Sequence, residues 1–389
     1  MQATSELEGL PAPTGRHGVG RAAFELVDQG RAEVYSSNPQ DRRELVVWVW
    51  YPAAPDPDGE RAAYLPEPWA PSGQFLGLDA AGLLSHAVAG APVAGEQPRY
   101  PVLLLSPSGF PPLLLAAIAE ELASHGYVVV GVNHTYETPV TVFADGRAVA
   151  VNPDAQAGVL GPQTGPYQER FRQRGAVCDY KAADLASVAD RLQLLAGDAT
   201  GLLAGRLDLD RLGGFGHSFG GNAALQWCRN DRRCRAAAHL DGALWTEVGR
   251  VGLDRPALQV LAEHPEFVLS GADAVKAGTA TDAAAYDAEK SITFDGWRTV
   301  HRRARPAYTV QIRGATHVSF MDVPLLPLAD GSPVKAMLAT AQIEPRRMWR
   351  ITCDVLLAFF ATHLDQAAAT PPVLAGPSGA YPELTFGPP

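Results

Sequence analysis

The sequence predicts an α/β fold: a mainly parallel central sheet with helices on both faces, antiparallel strands added at its N-terminal edge and two cap insertions. Three observations carry this. From Tyr100 onward, continuous apolar runs of strand length alternate with segments of helical periodicity, as a sheet buried on both faces requires. Glu44–Tyr51, a β-prone run ending at Pro52, precedes that alternation. Gly216-His-Ser-Phe-Gly220 lies between a strand-like run and a run of helix formers. That is the setting of a Gly-x-Ser-x-Gly turn, in which a strained serine stands exposed between strand and helix.

In chain order, residues 1–20 are rich in Gly and Pro and read as surface chain. Ala22–Val27 and Glu44–Tyr51 read as strands. Residues 53–99 show little periodicity and read as a long connection with one short helix near Ala80–Val88. Val102–Ser106 is a buried strand, and Leu113–His125 a helix closed by Gly126. Tyr127–Val132 is a second buried strand. Residues 134–178 form a Gly/Pro-rich insertion. Asp179–Leu195 is a helix with Leu185, Val188, Leu192 and Leu195 on one face. Arg211–Phe215 leads into the Ser218 turn, and Asn222–Cys228 into the helix beyond it. Ala236–Leu240, Ala257–Ala262 and Ala307–Arg313 are strands, residues 263–305 a second insertion and Arg346–Leu364 the last long helix. The two insertions are expected to act as lids over one domain (1–389, core about 16–365), with a peripheral tail over 366–389.

A serine hydroxyl needs a base, and the base an orienting carboxylate. In such sheets the acid and then the histidine follow the serine, each past a strand end. Among the histidines after Ser218, His239 lies inside a strand, His301 in an insertion and His363 at a helix end, and His264 follows an earlier strand. His317 lies just beyond the last strand, in a loop opened by Gly314, and is the expected base. Two carboxylates compete for the third place: Asp241, ending Ala236–Leu240, and Glu263, one strand later. For an oxyanion, the expected donors are the N–H of Phe219, after the nucleophile, and that of Phe110 in Ser106-Pro-Ser-Gly-Phe110. Pro111 and Pro112 have no N–H to offer. Trp245 and Trp297 are candidate aromatic walls.

Net charge is −10, and no basic run exceeds a pair of arginines, which argues against nucleic acid as a partner. The longest apolar stretch, Pro111–Ala119, is too short to span a membrane and stops at Glu120-Glu121. Residues 1–8 show no basic-then-apolar leader, which predicts a cytoplasmic chain, or a secreted one whose leader has been removed. Of four cysteines, Cys228 and Cys234 either close a small ring or stand as separate thiols; a bond would argue for an oxidising compartment. Cys178 and Cys353 read as lone buried thiols. His134 with Glu137 is the nearest approach to a cluster, so no metal and no cofactor is expected.

Several stretches together resemble one family. Leu10-Pro-Ala-Pro-Thr-Gly15, Val49-Trp-Tyr-Pro52, Leu122-Ala-Ser-His-Gly-Tyr127, His134-Thr-Tyr-Glu137, Gly216-His-Ser-Phe-Gly-Gly221, Leu240-Asp-Gly242 and Arg313-Gly-Ala-Thr-His317 are similar to the platelet-activating factor acetylhydrolases, a family of α/β-hydrolases. The resemblance covers about residues 10–364. It implies Ser218, Asp241 and His317 as a triad, choosing Asp241 over Glu263, and calcium-independent cleavage of short-acyl carboxylic esters. The oxyanion loop departs from the family in lacking a His-Gly pair, Val318 replaces a polar amide, and the second insertion is longer. The expected function is that of a serine esterase acting on a small-molecule ester. The rivals are an acyltransferase, a polyester- or cutin-cleaving hydrolase and a binding protein on a hydrolase scaffold.

Overall fold

A computed structural model describes residues 9–365 and 371–389, except 55, 57, 58, 156–166, 199, 265, 266 and 279. The leader reading, which rests on residues 1–8, lies outside the described residues, as do parts of both expected lids and of the tail.

Thirteen strands are described: β1 Gly18–Ala32, β2 Arg42–Ala53, β3 Arg61–Ala63, β4 Leu84–Ala89, β5 Tyr100–Ser106, β6 Val128–Asn133, β7 Val140–Val142, β8 Ala148–Ala150, β9 Leu207–His217, β10 Cys234–Leu240, β11 Ala257–Leu261, β12 Ala307–Ile312 and β13 Leu384–Phe386. Eleven of them form one sheet in the order β13-β12-β11-β10-β9-β5-β6-β2-β1-β4-β3, and β7 and β8 form a separate hairpin. Strands β12 to β6 in that order are parallel, while β2 pairs antiparallel with both β6 and β1.

Side-chain alternation builds a core on each face. Along β2, Val46, Trp48 and Trp50 enter one core while Leu45, Val47, Val49 and Tyr51 enter the other. Strand geometry dictates this, because successive side chains point to opposite faces. In β5, Leu103 and Leu105 oppose Val102 and Leu104 in the same way. The first core is covered by helices α1 (Ala116–Ser124) and α5 (Pro345–His363). The second lies under α2 (Tyr167–Gly197), α3 (Phe219–Asn230) and α4 (Ala283–Arg303).

Five expectations are corrected. Ala80–Val88 is not helical. Gly82 turns the chain at φ +74°, and Leu84–Ala89 then alternates as β4 between β1 and β3. The first insertion does not reach residue 178, since α2 begins at Tyr167; Gly175 lets that helix pass Trp245, whose carbonyl oxygen would lie 2.9 Å from a Cβ there. The second insertion is largely helical, and Trp297 and Val300 of α4 are core residues, so this part is structural rather than a lid. The tail is not peripheral throughout, because β13 pairs antiparallel with β12 and buries Leu384. Residues 9–17 are tied down as well: the N–H groups of Thr14 and Gly15 donate to Glu121 and Ser124 of α1.

Candidate active site

Ser218 occupies the single residue between β9 and α3, at φ 57° and ψ −122°. A non-glycine residue there carries roughly 1–3 kcal/mol of strain. Its N–H donates to the carbonyls of Leu240 and Asp241 (2.9 and 3.1 Å), and its own carbonyl accepts from Asn222 (3.0 Å). The flanking glycines are demanded by space. A Cβ on Gly216 would lie 2.3 Å from the carbonyl oxygen of Ser106, and one on Gly220 would lie 1.9 Å from the same atom. The end of β5 is thus wedged into the turn.

Asp241 follows β10, the neighbour of β9, with φ 52° and a fully buried side chain. His317 follows β12 in a short 3-10 turn, entered through a Thr316/Ser319 capping box. The structure brings the three side chains together: His317 Nε2 lies 2.9 Å from Ser218 Oγ, and Nδ1 lies 2.6 Å from Asp241 Oδ2. A carboxylate can only accept, so Nδ1 carries the proton and Nε2 is left to receive the serine's. Burial would raise the Asp241 pKa, but the imidazoles of His264 and His317 hold it well below the usual range.

Glu263 is not at this point of contact. Its Oε2 accepts from the N–H of Gly314 and its own N–H donates to the carbonyl of Ala315, so it braces the loop that carries His317.

Two histidines in the site carry no local signal in the sequence. His264 donates to Asp241 Oδ1 (2.8 Å), an oxygen that also accepts from the N–H of Ala262 (2.9 Å). His217 donates from Nε2 to the carbonyl of His317 (2.8 Å), with the two rings 4.6 Å apart. Burial, and then the neighbouring His317, push the His217 pKa down to about 3. Trp297 is fully buried and donates to the carbonyl of Gly242 (2.9 Å), so it shapes the turn after Asp241 rather than lining a pocket. Trp245 packs edge-on against Phe171 and beside Phe219, and its backbone N–H donates to Oδ1 of Asn222 (2.7 Å), one turn after Ser218.

Phe219 is the first residue of α3, and the N–H groups of a first helical turn have no partner within the helix. The Pro107–Phe110 loop leaves β5 where Ser106 pairs with Gly216, and it turns at Gly109 (φ +61°). Phe110 therefore stands on the same rim, its ring 6.1 Å from that of Phe75. Among the described residues no group of three or more His, Cys, Asp or Glu is placed to hold a metal, and no helix is long and apolar enough to cross a membrane. The arrangement can activate a serine hydroxyl against an acyl carbon.

Comparison with known proteins finds esterases and acetylhydrolases. The family model for platelet-activating factor acetylhydrolase, isoform II, matches residues 195–370, a stretch that holds Ser218, Asp241 and His317. Over that stretch, less than half of its length, the chain is similar to the platelet-activating factor acetylhydrolase family. Among its relatives is a probable 1-alkyl-2-acetylglycerophosphocholine esterase of Arthroderma benhamiae, 26% identical over 63% of this chain and 61% of that one. Another is the platelet-activating factor acetylhydrolase of Cavia porcellus, 28% identical over 37% of this chain and 35% of that one. The chain thus spans less than two thirds of either curated relative. The solved ferulic acid esterase of Streptomyces cinnamoneus superposes with a TM-score of 0.74 at 30% identity, over 98% of this chain and 99% of that one. The likeness to the ferulic acid esterase, over 98% of this chain, supports the α/β-hydrolase sheet. The Pro107–Phe110 loop lies outside the stretch matched by the family model.

Proposed function

We propose that this chain is a serine carboxylic-ester hydrolase that cleaves short-acyl esters through an acyl-enzyme on Ser218. The observation that carries the reading is the His317 imidazole, spanning Ser218 Oγ at 2.9 Å and Asp241 Oδ2 at 2.6 Å. Ser218 attacks the ester carbonyl while His317 takes its proton, and Asp241 holds the ring and stabilises the imidazolium. The N–H groups of Phe219 and Phe110 receive the oxyanion. His317 returns the proton to the leaving alcohol, then activates water to release the acyl group.

The test is labelling with a fluorophosphonate probe, together with p-nitrophenyl esters from acetyl to dodecanoyl. Labelling and turnover should vanish in Ser218→Ala, and short chains should be preferred. An unlabelled wild type would point to a binding protein, and a preference for dodecanoyl would remove the short-acyl claim. Added alcohols or amines that capture the acyl group faster than water does would mark an acyltransferase.

The acyl group has a second reading. Phe110, four residues beyond Ser106, meets Phe75, while Phe219, next to Ser218, packs with Trp245 and Phe171. One solved relative that aligns over 99% of its own chain is a ferulic acid esterase, and flat aromatic acyl groups suit such rings. Methyl ferulate cleaved with a higher kcat/KM than p-nitrophenyl acetate would favour it. The bond between Cys228 and Cys234 supports an oxidising compartment for the protein, which localisation of the tagged protein in its own host would test.

A further inference from the structure

A second Ser-His-Asp arrangement lies one strand away from the first. Ser106 Oγ is 2.9 Å from His134 Nε2, and His134 Nδ1 is 2.8 Å from Asp184 Oδ2. Ser106 ends β5, His134 follows β6, and Asp184 projects from α2. All three are fully buried, so no substrate reaches Ser106 and it is no second nucleophile.

The proton positions follow from the chemistry. Asp184 takes Arg43 Nε on Oδ1 (3.0 Å) and Nη2 on Oδ2 (2.6 Å), and Arg31 Nη1 on Oδ1 (2.7 Å). Burial would raise its pKa, but Arg43 first and then His134 hold it well below the usual range. Facing a carboxylate, His134 Nδ1 must donate. Burial, and then the nearby Lys181, keep the ring neutral, so Nε2 accepts and the Ser106 hydroxyl donates. This fixes the side chain of Ser106 in one orientation. The next residue is held as well: Lys181 donates to the carbonyl of Pro107 (3.4 Å) while paired with Glu137 (2.6 Å).

The root so held is the start of the Pro107–Phe110 loop, and the Ser106 carbonyl is also the atom packed against Gly216 and Gly220. We propose that Ser106, His134 and Asp184 are positioning residues that set the Phe110 N–H for the oxyanion without touching substrate. The inference rests on the hydrolase reading above. A hydroxyl free to rotate would let the strand end shift, and a donor displaced by an ångström loses much of its effect on the transition state.

The experiment compares Ser106→Ala, which deletes one oxygen atom, with His134→Gln and the full-length wild type. It measures kcat and KM for p-nitrophenyl butyrate, the Ki of a trifluoromethyl ketone that places an oxyanion in the site, and the thermal midpoint. Expected is a fall in kcat of about ten- to a hundredfold, a parallel rise in Ki, and a KM within about threefold. Unchanged kcat and Ki beside a lowered midpoint would make the trio a structural brace and overturn the proposal, as would failure of both variants to fold. A wild type that neither turns over esters nor reacts with a fluorophosphonate would instead refute the hydrolase reading.

Discussion

His217, the residue before Ser218, holds the main chain of His317: its Nε2–H reaches the His317 carbonyl over 2.8 Å. Burial keeps this ring neutral, with its pKa near 3, so it acts as a fixed donor across the working pH range. Replacing it with leucine strands a carbonyl beside the base, at a cost of about 1–3 kcal/mol. We expect His217→Leu to lower kcat/KM about tenfold or more and His217→Gln, which retains a donor, to lose less. Steady-state kinetics on p-nitrophenyl butyrate check this; equal losses would refute the hydrogen bond's role.

Asp241 divides its carboxylate between two imidazoles, His317 on Oδ2 and His264 on Oδ1. His264 packs between Phe267 and Trp297, so phenylalanine fits the same stack. His264→Phe should fold and lose about tenfold in kcat, because one donor to a buried charge is gone. A wild-type kcat in that variant would show that the N–H of Ala262 and His317 orient the carboxylate unaided.

Gly220→Ala places a Cβ 1.9 Å from the Ser106 carbonyl oxygen and 2.7 Å from that of Pro107. Backbone must move to admit it, and what moves is the root of the Phe110 loop. We expect kcat to drop about a hundredfold or more with circular dichroism little changed. A variant as active as wild type would show that the loop tolerates displacement.

Asp322 links α1 to Tyr64, the residue after β3. It accepts from the N–H of Ala117 at the start of α1 and from the hydroxyl of Tyr64. Burial raises its pKa from 3.8 to about 7. Folded protein therefore keeps a proton there that unfolded chain has lost between those values. Its contribution is full below about pH 4 and is lost as pH rises through 7, a change of at most about 4 kcal/mol. Urea midpoints should show Asp322→Asn gaining on the wild type from pH 4 to 7 and holding its lead above. A constant difference would mean that the carboxyl is ionised throughout.

Cys228 and Cys234 are bonded, while Cys178 and Cys353 are buried thiols. Thiol titration should find none in the native protein, two after denaturation and four after reduction as well. Closing so short a loop adds roughly 2 kcal/mol, so reduction should lower the thermal midpoint without abolishing the fold. Four thiols without reductant would exclude the bond.

The sheet from β5 to β12 could be read from the chain because its strands are uniformly apolar and its helices periodic. The Ser218 turn was equally legible, since glycine at 216 and 220 records a local steric demand. Asp241 was not separable from Glu263 on sequence grounds alone, because both end strands at the same rim; distance along a strand does not say which carboxylate turns inward. His217 and His264 gave no signal, since their role depends on groups far away in the chain. Ala80–Val88 misled through its alanine and leucine content, where pairing with β1 and β3 outweighed propensity. Leu384–Phe386 is too short to stand out until β12 lies beside it.

The eleven-stranded sheet is finished at both margins by three-residue strands, Arg61–Ala63 and Leu384–Phe386. Unpaired peptide groups invite foreign strands in proportion to the length they present. Among the described residues, each outermost strand offers too brief a ladder to template such growth. A wide, strongly hydrophobic sheet can thus stay dispersed at high concentration, guarded by two short selvedges.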